Sequence, residues 1–183
     1  AIILAYVGVA LMVGLSGVAS AIGTATCGMA SVGAMKKNGG AFGSYMILSA
    51  LPGSQGLYGF VGYFMVSGLI TDNISLLAGA GIFGAGLLMG LVCLLSSYFQ
   101  SKVCANGIAA IGNGHDVMGK TLILAAFPEL YAILAVAATF LISGAVAPQA
   151  GAEAAVAADA AKTEVVAEAP AAQVEAELVY DAE

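Results

Sequence analysis

TLILAAFPELYAILAVAATFLISGAVA, residues 121–147, is an apolar stretch that contains one charged residue, Glu129. The stretch is longer than the ~20 residues that a helix needs to cross a bilayer. A charge near the bilayer centre costs about 2.5–3.5 kcal/mol on insertion scales, and such residues usually mark ion or proton pathways. The stretch therefore predicts a membrane-spanning helix with a functional carboxylate.

The composition of the whole chain indicates an integral membrane protein. Of its 183 residues, 61% are hydrophobic and 9% are charged, which excludes an ordinary soluble domain. Four apolar stretches are long enough to span, at 1–35, 40–71, 74–101 and 121–147. The first lacks the basic start of a signal peptide and is too long for one. We expect an all-α membrane body over 1–148, with transmembrane helices at about 1–36, 40–71, 74–112 and 116–147.

Short polar breaks arrange these helices as two hairpins. The breaks are KKNGG (36–40), TDN (71–73) and GNGHD (112–116). Lys36 and Lys37 flank the first, and Lys102 and Lys120 flank the third. The positive-inside rule places loops 36–40 and 112–116 on the cytoplasmic side and both termini outside. The predicted location is a cell membrane, as in a bacterial inner membrane.

The second hairpin repeats the first. GLYGFVGYFMVSG (56–68) resembles ELYAILAVAATFLISG (129–144), and CGMASVGAMKKNGG (27–40) resembles CANGIAAIGNGHD (104–116). A two-helix unit returns the chain to its starting side, so the copy has the same orientation and the repeat is parallel. In this alignment Gly56 takes the position of Glu129, and one hairpin lacks the carboxylate.

The first and third helices carry stripes of small residues. In the first helix the stripe consists of Gly14, Gly17, Ala21, Thr24 and Gly28. Small residues let helix backbones approach closely in lipid. We therefore expect these two helices to form the inner wall of an assembly of identical chains.

The second helix presents a face of oxygen donors. Leu51, Ser54, Gln55 and Tyr58 fall at offsets 0, 3, 4 and 7, which is one helical face. Pro52 lacks an N–H, so we expect it to free the Leu48 carbonyl; Pro128 likewise frees the Leu124 carbonyl. With Gln100 and Glu129, this set resembles the Na⁺ sites of transporters, although each polar residue could instead join helices.

LPGSQGLYGF (51–60), Gln100 and FPELYAIL (127–134) resemble the four-helix proteolipid, known as K or c, of V/A-type rotary ATPases. The resemblance covers residues 1 to about 148 and is best to the sodium-translocating bacterial members, where Thr stands in place of Ser54. It implies a homo-oligomeric ring in lipid that turns past a stator arginine and connects to a central-stalk subunit. It also implies one cation per Glu129, a non-catalytic role within the ATPase, and a Tyr58 hydrogen bond to the carboxylate. The implied Na⁺ ligands, besides Glu129, are the Leu51 carbonyl, the Ser54 hydroxyl and the amides of Gln55 and Gln100.

Other functions stay open on the residues alone. A proton-carrying rotor subunit needs only Glu129 and one hydrogen-bond partner. A small oligomeric channel or secondary transporter is an alternative from a different class, but parallel two-helix repeats with one carboxylate lack the inverted, broken-helix design of such transporters. A purely structural oligomer leaves Glu129 unexplained.

The end of the chain, residues 149–183, differs in composition from the body. It holds eight acids and one lysine among many alanines, whereas the body holds four lysines and three acids. This composition predicts a low-complexity, disordered tail. The acidic balance of the chain thus describes the tail and gives no reason to expect nucleic acid as a partner.

Overall fold

The computed structural model describes residues 1–148, and the predicted tail at 149–183 lies outside the described residues. The described part consists of helices joined by short turns. Its α-helices are α1 (Ile2–Met35), α2 (Phe42–Ala50), α3 (Ser54–Ser67), α4 (Leu76–Gly112) and α5 (Met118–Pro148). The helices α1, α4 and α5 are each long and apolar enough to cross a membrane. The expectation of an all-helical membrane protein is confirmed on this point.

The segment predicted as one helix over 40–71 is divided in the structure. A 3₁₀ helix, Leu51–Gly53, separates α2 from α3, and a second one, Gly39–Ala41, precedes α2. Pro52 lies inside the break, where its missing N–H leaves a gap in the backbone hydrogen bonding. Pro128 does not break α5, which continues as an α-helix through that residue. Glycine follows Pro52 directly and favours a local break, which contacts from other helices then stabilise.

Serine side chains from other helices satisfy the backbone groups of this break. The Ser20 hydroxyl donates to the Gly53 carbonyl at 3.1 Å and accepts from the Gly56 N–H at 2.7 Å. The Ser97 hydroxyl donates to the Pro52 carbonyl at 2.9 Å. Since an unpaired backbone group at membrane depth is costly, these contacts allow a non-helical segment inside the bundle.

The helices α1 and α4 pack along their length through small residues. A Cβ atom added at Gly86 would overlap the backbone of Gly8, and one added at Gly90 would lie 2.6 Å from the Leu11 carbonyl oxygen. These glycines therefore let two backbones touch, as small residues do in membrane helices.

The stripe predicted on α1 lies on a different face from this contact. Within residues 1–148, no atom packs beside Gly14, Gly17 or Gly28, and Gly14, Gly17 and Ala21 are exposed. The face of α1 that packs inside the chain contains Ala5, Gly8, Met12, Ser16, Ala19, Gly23, Cys27, Ser31 and Ala34. The predicted stripe thus remains available for a neighbouring molecule.

The two hairpin turns meet at one end of the bundle. The Lys37 ammonium donates to the side-chain oxygen of Asn113 at 2.8 Å, which joins turn 36–40 to turn 112–116. At the other end, the Ala1 carbonyl oxygen lies 2.6 Å from a Cβ added at Gly79. Both hairpins therefore run in the same direction through the body.

Candidate ion-binding site

Two neutral side chains hold the carboxylate of Glu129. The Tyr58 hydroxyl on α3 donates to Oε1 at 2.8 Å, and Gln100 Nε2 on α4 donates to Oε2 at 3.0 Å. Glu129 itself is partly buried on α5. Three helices thus converge on one carboxylate, and each of its oxygens accepts a hydrogen bond from an uncharged donor.

A second amide extends this arrangement into the interior. Gln55 Nε2 donates to Gln100 Oε1 at 2.9 Å and to the Ser96 hydroxyl at 3.1 Å. Gln100 Nε2 also donates to the Ala125 carbonyl at 3.0 Å. The side chains of Gln55 and Gln100 are fully buried. Four of the predicted site residues, Glu129, Gln100, Gln55 and Tyr58, therefore belong to one continuous hydrogen-bonded chain.

The other two predicted residues lie beside this chain. The Ser54 hydroxyl donates to the Leu51 carbonyl at 3.0 Å, one helical turn before Tyr58. The Ser54 hydroxyl and the Leu51 carbonyl are thus bonded to each other. The hydrogen-bonded chain of Gln55 and Gln100 instead reaches α5 at the Ala125 carbonyl. That carbonyl lies one residue beyond Leu124, whose carbonyl was predicted to be freed by the following proline.

One buried oxygen of the site has no hydrogen-bond partner. Among the described residues, the unpaired buried side-chain atoms are Gln55 Oε1 and Thr139 Oγ1. Leaving such a group unsatisfied costs about 1–3 kcal/mol, and a bound cation would remove that cost. The donor set of carboxylate, amide, hydroxyl and backbone oxygens is chemically suited to a hard cation. The residues present are therefore chemically compatible with a small hard cation.

Sequence reasoning missed the serines that support the site. Ser96 joins Gln55 to α5, since its hydroxyl donates to the Pro128 carbonyl at 2.8 Å. Ser20 and Ser97 hold the 3₁₀ break. A signal existed for Ser96, because it precedes Gln100 by four residues and shares its helix face. For Ser20 no local pattern indicated the partner, which lies more than thirty residues away.

An apolar groove runs beside the site between α4 and α5. Its volume is about 710 Å³, and Phe99, Phe127, Tyr131 and Leu134 contribute to its wall. Ser96 and Pro128 lie at this wall as well. The site therefore sits behind an apolar surface, close to the outside of the single chain.

Long apolar helices, two hairpins of the same direction and a carboxylate held by neutral donors define an ion-translocating membrane proteolipid. A multi-pass location in the membrane follows from the same helices.

Comparison with known proteins gives the particular family. The family model for the C subunit of ATP synthase matches residues 7–66 and again residues 83–142. The chain belongs to this family and contains the family's unit twice. The double match agrees with the internal repeat that the sequence predicts.

Two relatives place the chain within the V/A type. It is 36% identical to the V-type sodium ATPase subunit K of Enterococcus hirae over 127 residues. The aligned region covers 69% of this chain and 81% of that protein. It is 33% identical over 153 residues to the A-type ATP synthase subunit K of Methanocaldococcus jannaschii, covering 83% of this chain and 67% of that one. The resemblance read from LPGSQGLYGF and FPELYAIL is confirmed.

Proposed function

We propose that this chain forms a homo-oligomeric rotor ring that carries Na⁺ across the membrane on Glu129, coupled to ATP hydrolysis or synthesis in other subunits. The observation that carries the proposal is the buried, unpaired oxygen of Gln55, which belongs to the hydrogen-bonded chain of the carboxylate. The sodium ATPase named among the relatives supports the choice of ion.

The number of oxygen donors favours Na⁺ over H⁺. A proton site requires a carboxylate and at most one partner, whereas a Na⁺ ion is satisfied by several oxygens around it. Besides Glu129, the proposed ligands are Gln55, Gln100, Ser54 and the Leu51 carbonyl. The first two are fully buried, and the Gln55 oxygen, which accepts no hydrogen bond from the described residues, would gain a partner in the cation.

Neutralisation of Glu129 explains how the ring could turn in lipid. An ionised carboxylate at membrane depth is costly, and a bound cation removes most of its net charge. The loaded site would then pass along the lipid, and the empty carboxylate would pair with an arginine of a stator subunit. In this scheme the chain breaks no covalent bond and serves as the moving carrier.

One ion per chain follows from the first hairpin. Gly56 stands in the position of Glu129, and a Cβ added there would lie 3.0 Å from the Ser20 hydroxyl oxygen. The same hydroxyl accepts from the Gly56 N–H. A carboxylate at this position would displace the serine that supports the 3₁₀ break, so the first hairpin has a structural part in the site and no ion of its own.

The proposed orientation places turns 36–40 and 112–116 in the cytoplasm and both termini outside. These two turns are joined by the Lys37–Asn113 hydrogen bond and form one polar surface. We expect this surface to face the central-stalk subunit, because the lysines near it follow the positive-inside rule.

The experiment that tests the proposed function uses a carbodiimide, which reacts with a protonated carboxyl group. Purified rings are labelled at fixed pH with increasing NaCl, with choline chloride as the ionic-strength control, and the modified peptide is identified by mass spectrometry. We expect labelling at Glu129 and protection by Na⁺. We also expect that Glu129→Gln removes labelling and ATP-driven ²²Na⁺ transport while the ring stays assembled.

Two results would contradict this function. Labelling of the wild type that does not respond to Na⁺ at any pH indicates a proton carrier with a structural amide chain. Rapid ²²Na⁺ flux through the isolated chain in liposomes, without the other subunits of the ATPase, indicates a channel or secondary transporter.

A further inference from the structure

We propose that Ser96 is a positioning residue that fixes the orientation of the Gln55 carboxamide so that its oxygen is free for the cation. The proposal rests on the proposed function of Glu129 as a Na⁺ carrier. Ser96 lies on α4, is 6% exposed, and contacts both α3 and α5 through its hydroxyl.

The polarity of the hydrogen bonds decides the orientation. The Pro128 carbonyl can only accept, so the Ser96 hydroxyl, at 2.8 Å, must donate to it. The oxygen of Ser96 is then left to accept, and the group of Gln55 at 3.1 Å must be its NH₂. Gln55 Oε1 therefore points away from Ser96, and it is the oxygen that has no partner.

The second hydrogen of the same NH₂ group is fixed in a similar way. Gln100 donates both of its amide hydrogens, to the Ala125 carbonyl and to Glu129. Because Nε2 faces these two acceptors, the end of the Gln100 amide that faces Gln55 is Oε1, which accepts from Gln55 Nε2 at 2.9 Å. With two acceptors in place, both hydrogens of Gln55 are fixed and the plane of the amide cannot rotate.

Removal of the Ser96 hydroxyl leaves Gln55 with one acceptor. The amide plane can then turn about the remaining bond to Gln100, and Oε1 no longer keeps one direction. The same removal frees the carbonyl of Pro128, the residue directly before Glu129. Ser96 thus positions two groups of the site, although its own hydroxyl is not proposed as a ligand.

The test compares three variants by Na⁺ protection of Glu129 from carbodiimide. Ser96→Ala should raise the Na⁺ concentration for half-protection about tenfold, the lower range for loss of a group that orients a metal ligand. Labelling without Na⁺ should stay at the wild-type rate, because the carboxyl group and its donors remain. Ser96→Thr keeps the hydroxyl, at a position that lines the apolar groove, and should stay within about twofold.

Ser101→Ala is the matched control. Ser101 lies on the same helix, is 1% exposed, and its hydroxyl bonds, among the described residues, only to the Tyr98 carbonyl of its own helix. We expect wild-type protection for this variant. Should rings of Ser96→Ala not assemble, Ser96→Cys retains the volume with a weaker donor and should shift protection in the same direction.

The outcomes separate the two proposals. Wild-type protection by Na⁺ together with unchanged protection in Ser96→Ala overturns the positioning role and leaves the carrier function intact. An equal shift in Ser101→Ala also overturns it, because the effect would then be general to α4. Absence of Na⁺ protection in the wild type overturns the carrier function, and the role of Ser96 with it.

Discussion

Replacement of Gln100 by leucine would remove three hydrogen bonds at one position. Gln100 donates to Glu129 and to Ala125 and accepts from Gln55, all within 3.0 Å. The losses are unequal. Gln55 keeps its bond to the Ser96 hydroxyl, and Ala125 keeps its place in the α-helical backbone ladder. The variant also removes the Gln100 oxygen proposed as a Na⁺ ligand, so the loss of the donor to the Glu129 carboxylate, about 1.5–3 kcal/mol for a hydrogen bond to a charged group, sets the minimum effect.

This loss should appear as weaker Na⁺ binding. The cation-loaded site contains the ionised carboxylate, so a donor that favours the ionised form also favours the loaded site. At about 1.4 kcal/mol per tenfold, the Na⁺ concentration for half-protection should rise about 10- to 100-fold. The assay is carbodiimide labelling of purified rings against a NaCl series. Asn106→Leu is the control, because it removes an exposed amide of the same helix whose one side-chain hydrogen bond within residues 1–148 is to the Lys102 carbonyl.

A shift of less than about threefold for Gln100→Leu, in rings that assemble normally, would refute this reasoning, because it lies well below the range expected for a charged hydrogen bond. The amide would then join helices without acting on the carboxylate. An equal shift in Asn106→Leu would show that the effect comes from α4 in general.

Further predictions concern packing and assembly. Gly90→Ala should destabilise the chain by about 1–3 kcal/mol, because its Cβ would lie 2.6 Å from the Leu11 carbonyl oxygen, whereas Gly84→Ala, with open space, should be neutral in thermal melts in detergent. Gly17→Leu should leave the single chain folded but reduce rings on native gels, since Gly17 is exposed there; intact rings would contradict the inner-wall assignment. Deletion of 149–183 should leave assembly and ATP-driven transport unchanged, and loss of either would show that the tail packs.

The sequence was sufficient wherever the signal was local. Runs of apolar residues predicted where helices lie, and the spacing of Gln55 and Tyr58 placed both on one helical face, from which Tyr58 bonds to Glu129 and Gln55 bonds to Gln100. The membrane simplifies the prediction of secondary structure, because only helices and closed barrels satisfy all their backbone hydrogen bonds internally in lipid. Glu129 was recognisable as a site residue because a carboxylate at membrane depth is energetically costly and usually has a function.

Contacts between helices could not be predicted in the same way. Whether Pro52 breaks its helix depends on Ser20 and Ser97, which come from α1 and α4 and accept or donate across the bundle. The face of α1 that meets α4 depends on how the two helices rotate, and several faces of α1 are rich in small residues. Periodicity identifies such faces but does not say which neighbour each one meets.

The glycine at position 56 has a consequence for the energetics of the proposed motor. Two rings with the same number of helices can be compared. If every hairpin carried a carboxylate, the ring would move twice as many ions per turn as a ring of this chain. Since a full turn consumes a fixed amount of ATP, each ion here receives twice the free energy. One charge moved against 100 mV requires about 2.3 kcal/mol. A ring of this chain would therefore move fewer ions per turn, and it could move each of them against a steeper electrochemical gradient.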